Sequence, residues 1–267
     1  MTDLKRYINC YINISGIIIC TFTNTYFKGK GKGRTVKMDY LLLWIASHTL
    51  IVCLIAGTIV SAIWILLFHE KLKINIWVAP ILAVANTIAG LISVKLFAGL
   101  EAWGNPLSNG QSLFGSVFLL PLFYFAGTKI TGRKYADVFD VFLMCTITTL
   151  IFARIDCIMN GCCYGKYIPG SEMVRWPTRK MEIVFHIILL TIFYLMNKKN
   201  KLPGATWPLY MVSYGAFRFI EEWLRVGDSV IWVFHRGHLW ALLSVIIGSS
   251  VYLELRTKAE HKKEYIR

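Results

Sequence analysis

Two short stretches of this chain place anion-gripping side chains where the surrounding sequence is apolar. Residues 153–166 (ARIDCIMNGCCYGK) put Arg154, Asp156, three cysteines, Asn160 and Lys166 beside long hydrophobic runs. Residues 214–225 (YGAFRFIEEWLR) put Tyr214, Arg218, Glu221, Glu222 and Arg225 into another. On a helix these five recur at spacings of three and four and share one stripe, opposite Phe217, Phe219, Ile220, Trp223 and Leu224. Ionisable groups at membrane depth cost kilocalories each, so they face a cavity or a partner. Guanidinium forks suit a phosphate, because they bind oxyanions bidentately and stay charged when desolvated. The competing reading is a salt-bridge ladder of Arg218, Glu222 and Arg225 that only holds helices together.

Smaller signals surround these two. Gly161 and Gly165 permit close approach of backbone to a ligand, and Asn160 offers both a donor and an acceptor. In Trp176–Glu182 (WPTRKME), Pro177 and Thr178 read as a helix start, and Glu182 lies one turn in, able to pair with Arg154 or Arg179. Ser112 lies in Asn109–Phe118, whose small residues suit helix packing, and is a candidate headgroup contact. His238 follows Gly237 at the start of the last apolar run, whereas His48 and His186 sit inside such runs and read as packed. Cys157, Cys162 and Cys163 share a loop-like site but lack a C-x-x-C spacing or a neighbouring histidine, so no metal is expected. Cys10, Cys20, Cys53 and Cys145 lie in apolar segments, where a thiol acts as a small hydrophobe.

The elements that must hold these groups are read from composition. Of 267 residues, 56% are hydrophobic and 16% charged, against about a quarter charged in a soluble domain. Apolar runs fall at about 41–68, 76–100, 111–130, 136–153, 181–196, 207–224 and 239–255, most near the ~20 residues that cross a bilayer. The fold class is therefore all-α, a polytopic integral membrane protein of about seven helices, and no alternating strand pattern suggests a barrel. The net charge of +14 is spread over loops and tails without a nucleic-acid motif, which favours lipid headgroups over nucleic acid as its partner.

Basic residues set the orientation. They follow the first span (Lys71, Lys73), the third (Lys129, Arg133, Lys134) and the fifth (Lys198, Lys199, Lys201), and fill the tail (Arg256, Lys258, Lys262, Lys263, Arg267). The break at Glu101–Asn109 has none. The C-terminus is thus expected in the cytoplasm, with the two polar clusters outside. Residues 1–37 conflict with this, because Lys28–Lys37 (KGKGKGRTVK) would then lie outside. Either residues 7–27 form an extra weak span, or translation begins at Met38, the reading preferred here. The expected division is an extension at 1–37, a seven-span domain at 38–256 and a basic tail at 257–267.

The order of these motifs resembles that of the bacterial prolipoprotein diacylglyceryl transferases, over most of residues 40–255. The family segment R-I-G-N-F-x-N-G-E-x-x-G is met here by Arg154, Asn160, Gly161 and Gly165, while its Gly, Asn and Glu have become Asp156, Cys157 and Cys162. Its segment Y-G-x-x-R-F-x-x-E-x-x-R is met in full by Tyr214, Gly215, Arg218, Phe219, Glu222 and Arg225. The histidine of its G-x-S-F-H-G-G is Phe114 here, its H-P-x-Q-L-Y-E keeps only Pro177 and Glu182, and the glutamine near its last span is His238. The resemblance implies transfer of diacylglyceryl from phosphatidylglycerol to the lipobox cysteine of prelipoproteins bearing signal peptides, in a bacterial cell membrane, without a cofactor. It assigns catalysis to Arg154, Arg218, Tyr214 and Glu222. Substrate binding falls to Arg154, Asn160, Gly161, Gly165, Arg225, Glu182, Ser112 and His238; the base for the incoming thiol is left unidentified, with Glu182 and His238 as the candidates. A paralogue with another acceptor, or a non-catalytic binder of anionic lipid, is the alternative.

Overall fold

The structure, a computed structural model, describes residues 8–12, 18–22, 47–101, 112–171, 173–226, 229–231 and 234–266. The basic run Lys28–Lys37, Met38 and the break at 102–111 lie outside the described residues. Near the start, β1 (Ile8–Ile12) and β2 (Ile18–Phe22) pair antiparallel, so these parts of the expected weak span 7–27 are extended rather than helical.

Helices make up the rest. In order they are α1 (Thr49–Leu67), the short α2 (His69–Leu72), a 3-10 turn at Ile76–Val78 running into α3 (Ala79–Glu101), α4 (Phe114–Phe118) and α5 (Leu120–Thr131). There follow α6 (Tyr135–Met159), α7 (Thr178–Lys198) and α8 (Thr206–Glu222), a small hairpin of β3 (Ser229–Ile231) and β4 (Phe234–His235), and α9 (Arg236–Ile266). Among the described residues six stretches are long and apolar enough to cross a membrane, α4 and α5 together counting as one. The expected seventh is α8, whose 17 residues carry Arg218, Glu221 and Glu222. Two expected boundaries move. The run 136–153 continues to Met159, so Arg154, Asp156 and Cys157 are helical rather than in a loop, and α8 stops at Glu222, three residues short of Arg225.

The outer helices show why lipid, not water, is their solvent. On α1, Ile51, Ile55, Ile59, Ile63 and Leu67 recur every four residues and are all exposed. The other face, Cys53, Gly57, Ser61 and Ile65, is buried against α6. Small residues inside and branched aliphatics outside invert the soluble pattern, because close backbone packing drives association where burial from water cannot. At the centre stands α6: 67% of its most apolar stretch is buried, against 22% for α1. The crossing of α8 and α9 uses glycine in the same way, since a Cβ at Gly215 or Gly248 would press on Ala241 and Val245, or on Pro208 and Met211.

A polar cluster pins the end of the bundle where α6 begins. Asp140, 2% exposed, accepts from Gly204 N at 3.1 Å and Thr206 Oγ1 at 2.7 Å, and pairs with Lys71 at 3.3 Å. Lys71 also donates to Asn197 at the end of α7. One carboxylate thereby joins α2, α6 and α8, with α7 drawn in through Lys71. Asp140→Ala should leave Lys71 to Asn197 and the more distant Asp137 and leave the Gly204 and Thr206 donors unpaired, lowering stability by about 1–3 kcal/mol, read as a fall in the unfolding midpoint in detergent. An unchanged midpoint would show that the cluster is not a staple.

Candidate active site

Four helices bring their charged residues to the opposite end of α6. Arg154 comes from its penultimate turn, Glu182 from the first turns of α7, Tyr214, Arg218, Glu221 and Glu222 from the last turns of α8, and His238 from the start of α9. Arg154 is 6% exposed and Glu182 fully buried. The guanidinium donates from Nη2 to Glu182 Oε1 at 2.9 Å, while Nε faces Oε2. Glu182 also lies 3.9 Å from Arg218 Nη1, so a single carboxylate stands between two cations. From its other side Arg218 meets Glu221 at 2.5 Å and Glu222 at 3.0 Å.

The competing ladder is met in part: Arg218 pairs with Glu222, but among the described residues Arg225 makes no ion pair. Glu182 takes Arg154, whereas Arg179 donates to the Cys157 carbonyl at 2.8 Å and lies over the Tyr164 ring at 4.4 Å. Arg225 lies beyond the helix and is bridged by backbone to Gly165. The pairing leaves donors over. Tyr214 Oη, Arg218 Nε, Arg225 Nη1 and His238 Nε2 are buried without a hydrogen-bond partner among the described residues, as are Glu221 Oε1 and His235 Nδ1. Buried donors are rarely left so unless something else accepts from them.

His238 is 1% exposed, packed between Phe219, Trp223 and Phe234. Its Nδ1 accepts the His235 amide at 3.0 Å. The neutral ring therefore carries its proton on Nε2 and faces the site as a donor, which removes it as the expected base. Glu182 is ion-paired with Arg154 through both of its oxygens, which favours its charged form and weakens it as a base. His186 is also occupied, with Nδ1 2.8 Å from the Glu182 carbonyl and Nε2 3.3 Å from the Tyr210 hydroxyl. Phe114, 4% exposed, packs on the Tyr214 ring at 5.9 Å and supplies no proton acceptor.

Other expected contacts serve the scaffold. Asn160 is exposed and donates to Asp156 at 2.7 Å and Thr49 at 2.8 Å, joining α6 to α1 rather than to the arginines. Gly165 yields its space to protein, not to a ligand, because a Cβ there would overlap the Trp176 backbone and crowd the Leu224 carbonyl. Gly161 adopts φ +61° to turn the chain out of α6. Ser112 hydrogen-bonds the Glu101 side chain, whose backbone carbonyl accepts from Arg236 at 2.6 Å. Sequence reasoning passed over Glu101 and Gly237. The latter is readable in hindsight, since any side chain at 237 would strike the Glu222 carboxylate.

The three cysteines do come together. The sulfurs of Cys157, Cys162 and Cys163 lie within 4.8 Å of one another, which a C-x4-C-C spacing allows once Gly161 and Cys163 (φ +56°) fold the loop back. All three are free thiols. The Cys163 thiol is held down at about 4 by a hydrogen bond from Cys157, against desolvation and with help from the Arg154 and Arg225 charges, whereas burial pushes Cys162 up.

Comparison with known proteins follows the same lines. The profile of the prolipoprotein diacylglyceryl transferase family matches residues 10–253. A Dehalococcoides mccartyi protein named phosphatidylglycerol–prolipoprotein diacylglyceryl transferase is 22% identical over 197 residues, covering 66% of this chain and 75% of its own length. Proteins of the same name from Chlorobaculum tepidum (25% identical; 66% of this chain, 65% of theirs) and Clostridium tetani (24%; 64% and 78%) are similarly related. Stability separates pairing from packing here. Glu182→Ala leaves Arg154 without its carboxylate and should cost about 3–5 kcal/mol, whereas Arg154→Met with Glu182→Met should recover much of that loss. Equal unfolding midpoints for the single and double variants would discount the buried charge.

Proposed function

The chain belongs to the prolipoprotein diacylglyceryl transferase family, and from that premise we propose that the cluster of Arg154, Arg218 and Arg225 is where it takes the phosphate of phosphatidylglycerol. The acceptor is the cysteine thiol of a prelipoprotein, presented by its signal peptide from the bilayer. The thiol sulfur attacks the glyceryl carbon that bears the phosphate. A C–S bond forms, the C–O bond breaks, and glycerol phosphate leaves with the electron pair.

Negative charge grows on the phosphate as that bond opens, and the residues answer it. Arg154 and Arg218 supply the fork, each worth about 3–4 kcal/mol if it acts as a lost anion-hole donor would. Glu182 holds the two guanidiniums at a fixed separation, and Glu222 steadies Arg218 from the far side. Tyr214 donates to a lipid oxygen, and His238 Nε2 adds a neutral donor. The supporting observation is the set of four buried donors left without partners, since phosphate oxygens are the acceptors such groups take.

Sidedness rests on charge. Lys71, Lys129, Lys134 and Lys198 cluster at the end of the bundle where α6 begins, and the basic tail of α9 runs towards it. That end faces the cytoplasm by the short-loop rule, which puts the arginines towards the outer leaflet of the bacterial cell membrane. No nucleic acid enters this reading.

In a strain depleted of its own transferase, the chain should restore lipoprotein maturation. Arg154→Lys and Arg218→Lys keep a charge but lose the fork, and should cut transfer by about 10²–10³-fold at unchanged protein level. Full transfer by both variants would remove the clamp, and lipid binding without any transfer would favour a non-catalytic role. A C-terminal fluorescent fusion should glow while alkaline phosphatase at the same point stays inactive; the reverse would invert the topology.

A further inference from the structure

The thiol chemistry proposed above needs a sulfur nucleophile, and most of the groups around the arginines are already engaged. Glu182 is engaged by Arg154, Glu222 and one oxygen of Glu221 by Arg218, and His186 on both nitrogens, which leaves Glu221 Oε1 and His235 Nδ1 as the buried acceptors over. His238 points a proton at the site, and Phe114 carries no acceptor. Beside this cluster sit three free sulfurs within 4.8 Å of one another, from Cys157 on the last turn of α6 and Cys162 and Cys163 on the loop after it. Three thiolates on a tetrahedral zinc ion lie ~3.8 Å apart for Zn–S bonds of about 2.3 Å, so the ion needs only a small contraction. The set is anchored on both sides: Arg154 Nη1 lies 3.7 Å from Cys157 Sγ, Arg179 holds the Cys157 carbonyl at 2.8 Å, and Thr178 Oγ1 lies 3.4 Å from the Cys163 carbonyl. Cys162 is exposed while its two companions are half-buried, so the triangle opens outward.

We propose that Cys157, Cys162 and Cys163 hold a zinc ion whose fourth position is taken by the acceptor thiol. Three protein ligands with one open site is the arrangement of reactive zinc, and a thiol that coordinates is deprotonated outright. The neighbouring Arg154 offsets the extra negative charge of three thiolates on a divalent ion. The acceptor proton leaves to water as the thiol binds. The bound sulfur then forms its bond to the glyceryl carbon, the C–O bond to the phosphate breaks with its pair going to glycerol phosphate, and the neutral thioether leaves the metal. This rests on the transferase reading, and it replaces a protein base with a metal.

The test uses the purified full chain in detergent, and its first arm needs no lipid. Zinc should be present at about one equivalent, and Cys162→Ser and Cys163→Ser should each lose most of it while retaining the wild-type unfolding profile. Cobalt exchanged into the site should give intense sulfur-to-metal charge-transfer absorption and tetrahedral d–d bands. A signal-peptide fragment carrying a cysteine should shift those bands, and its serine analogue should not. Stripping zinc from the wild type with a chelator should slow transfer by at least tenfold, reversed by added zinc. A metal-free chain that transfers at full rate overturns the zinc and leaves the phosphate clamp standing. So does a cobalt spectrum indifferent to the thiol, which denies the fourth ligand. A thiol-responsive metal in a chain whose arginine variants transfer normally sinks the clamp alone.

Discussion

A carboxylate with no exposure, Glu182, stands between two guanidiniums at the end of a helix bundle, and the architecture around it exists to make that arrangement tolerable. Removing three such charges from water costs several kilocalories each, and only close, well-oriented pairing offsets it. Four helices must therefore end together: α6 to deliver Arg154, α7 to deliver Glu182, α8 to deliver Arg218 with its own two glutamates, and α9 to close the remaining side with Gly237 against Glu222. The charges are nearly balanced within the cluster. The cluster is thereby a field already oriented before anything binds, the condition under which fixed dipoles stabilise developing charge.

The same helices must also satisfy lipid. The isoleucine stripe of α1 and the small residues on its other face follow from having hydrocarbon outside and a partner backbone inside. Hydroxyls within the bundle are handled locally or across one interface: Thr58 meets Thr87 at 2.8 Å, and the Trp64 indole donates to Thr148 at 2.9 Å. None of these touches the arginines. Among the described residues the charged cluster is thus set apart in a scaffold whose other buried side-chain polar atoms are matched, Asn197 Nδ2 excepted.

Much of this was legible beforehand. Apolar run lengths placed every long helix, and the three-and-four spacing of Tyr214, Arg218, Glu221 and Glu222 put them on one buried face. What sequence could not weigh was where a helix stops. Extending α6 to Met159 moved Cys157 onto a helix, and ending α8 at Glu222 moved Arg225 off one. Apolar periodicity fades at such ends, and tertiary contacts decide them. The glycines misled for a related reason: spacing reveals that a backbone comes close, not whether the visitor is a ligand or, as at Gly165, the chain itself. Histidine 238 was found by position, but its direction of donation depends on the His235 amide, a contact three residues away that no pattern announces. That the three cysteine sulfurs meet was not legible from their spacing, because the loop folds by way of two left-handed residues.

Helix α6 is tied near one end through Asp140 and near the other through Arg154, ~21 Å apart along its axis at 1.5 Å per residue. Such a strut takes mechanical strain off the loop that follows it. The loop that follows is held separately, by the backbone bridge from Gly165 to Arg225, while Arg154 hangs from the strut itself. A change in the loop is therefore felt first at Arg225, through that bridge, and only more distantly at the two guanidiniums that the helices carry.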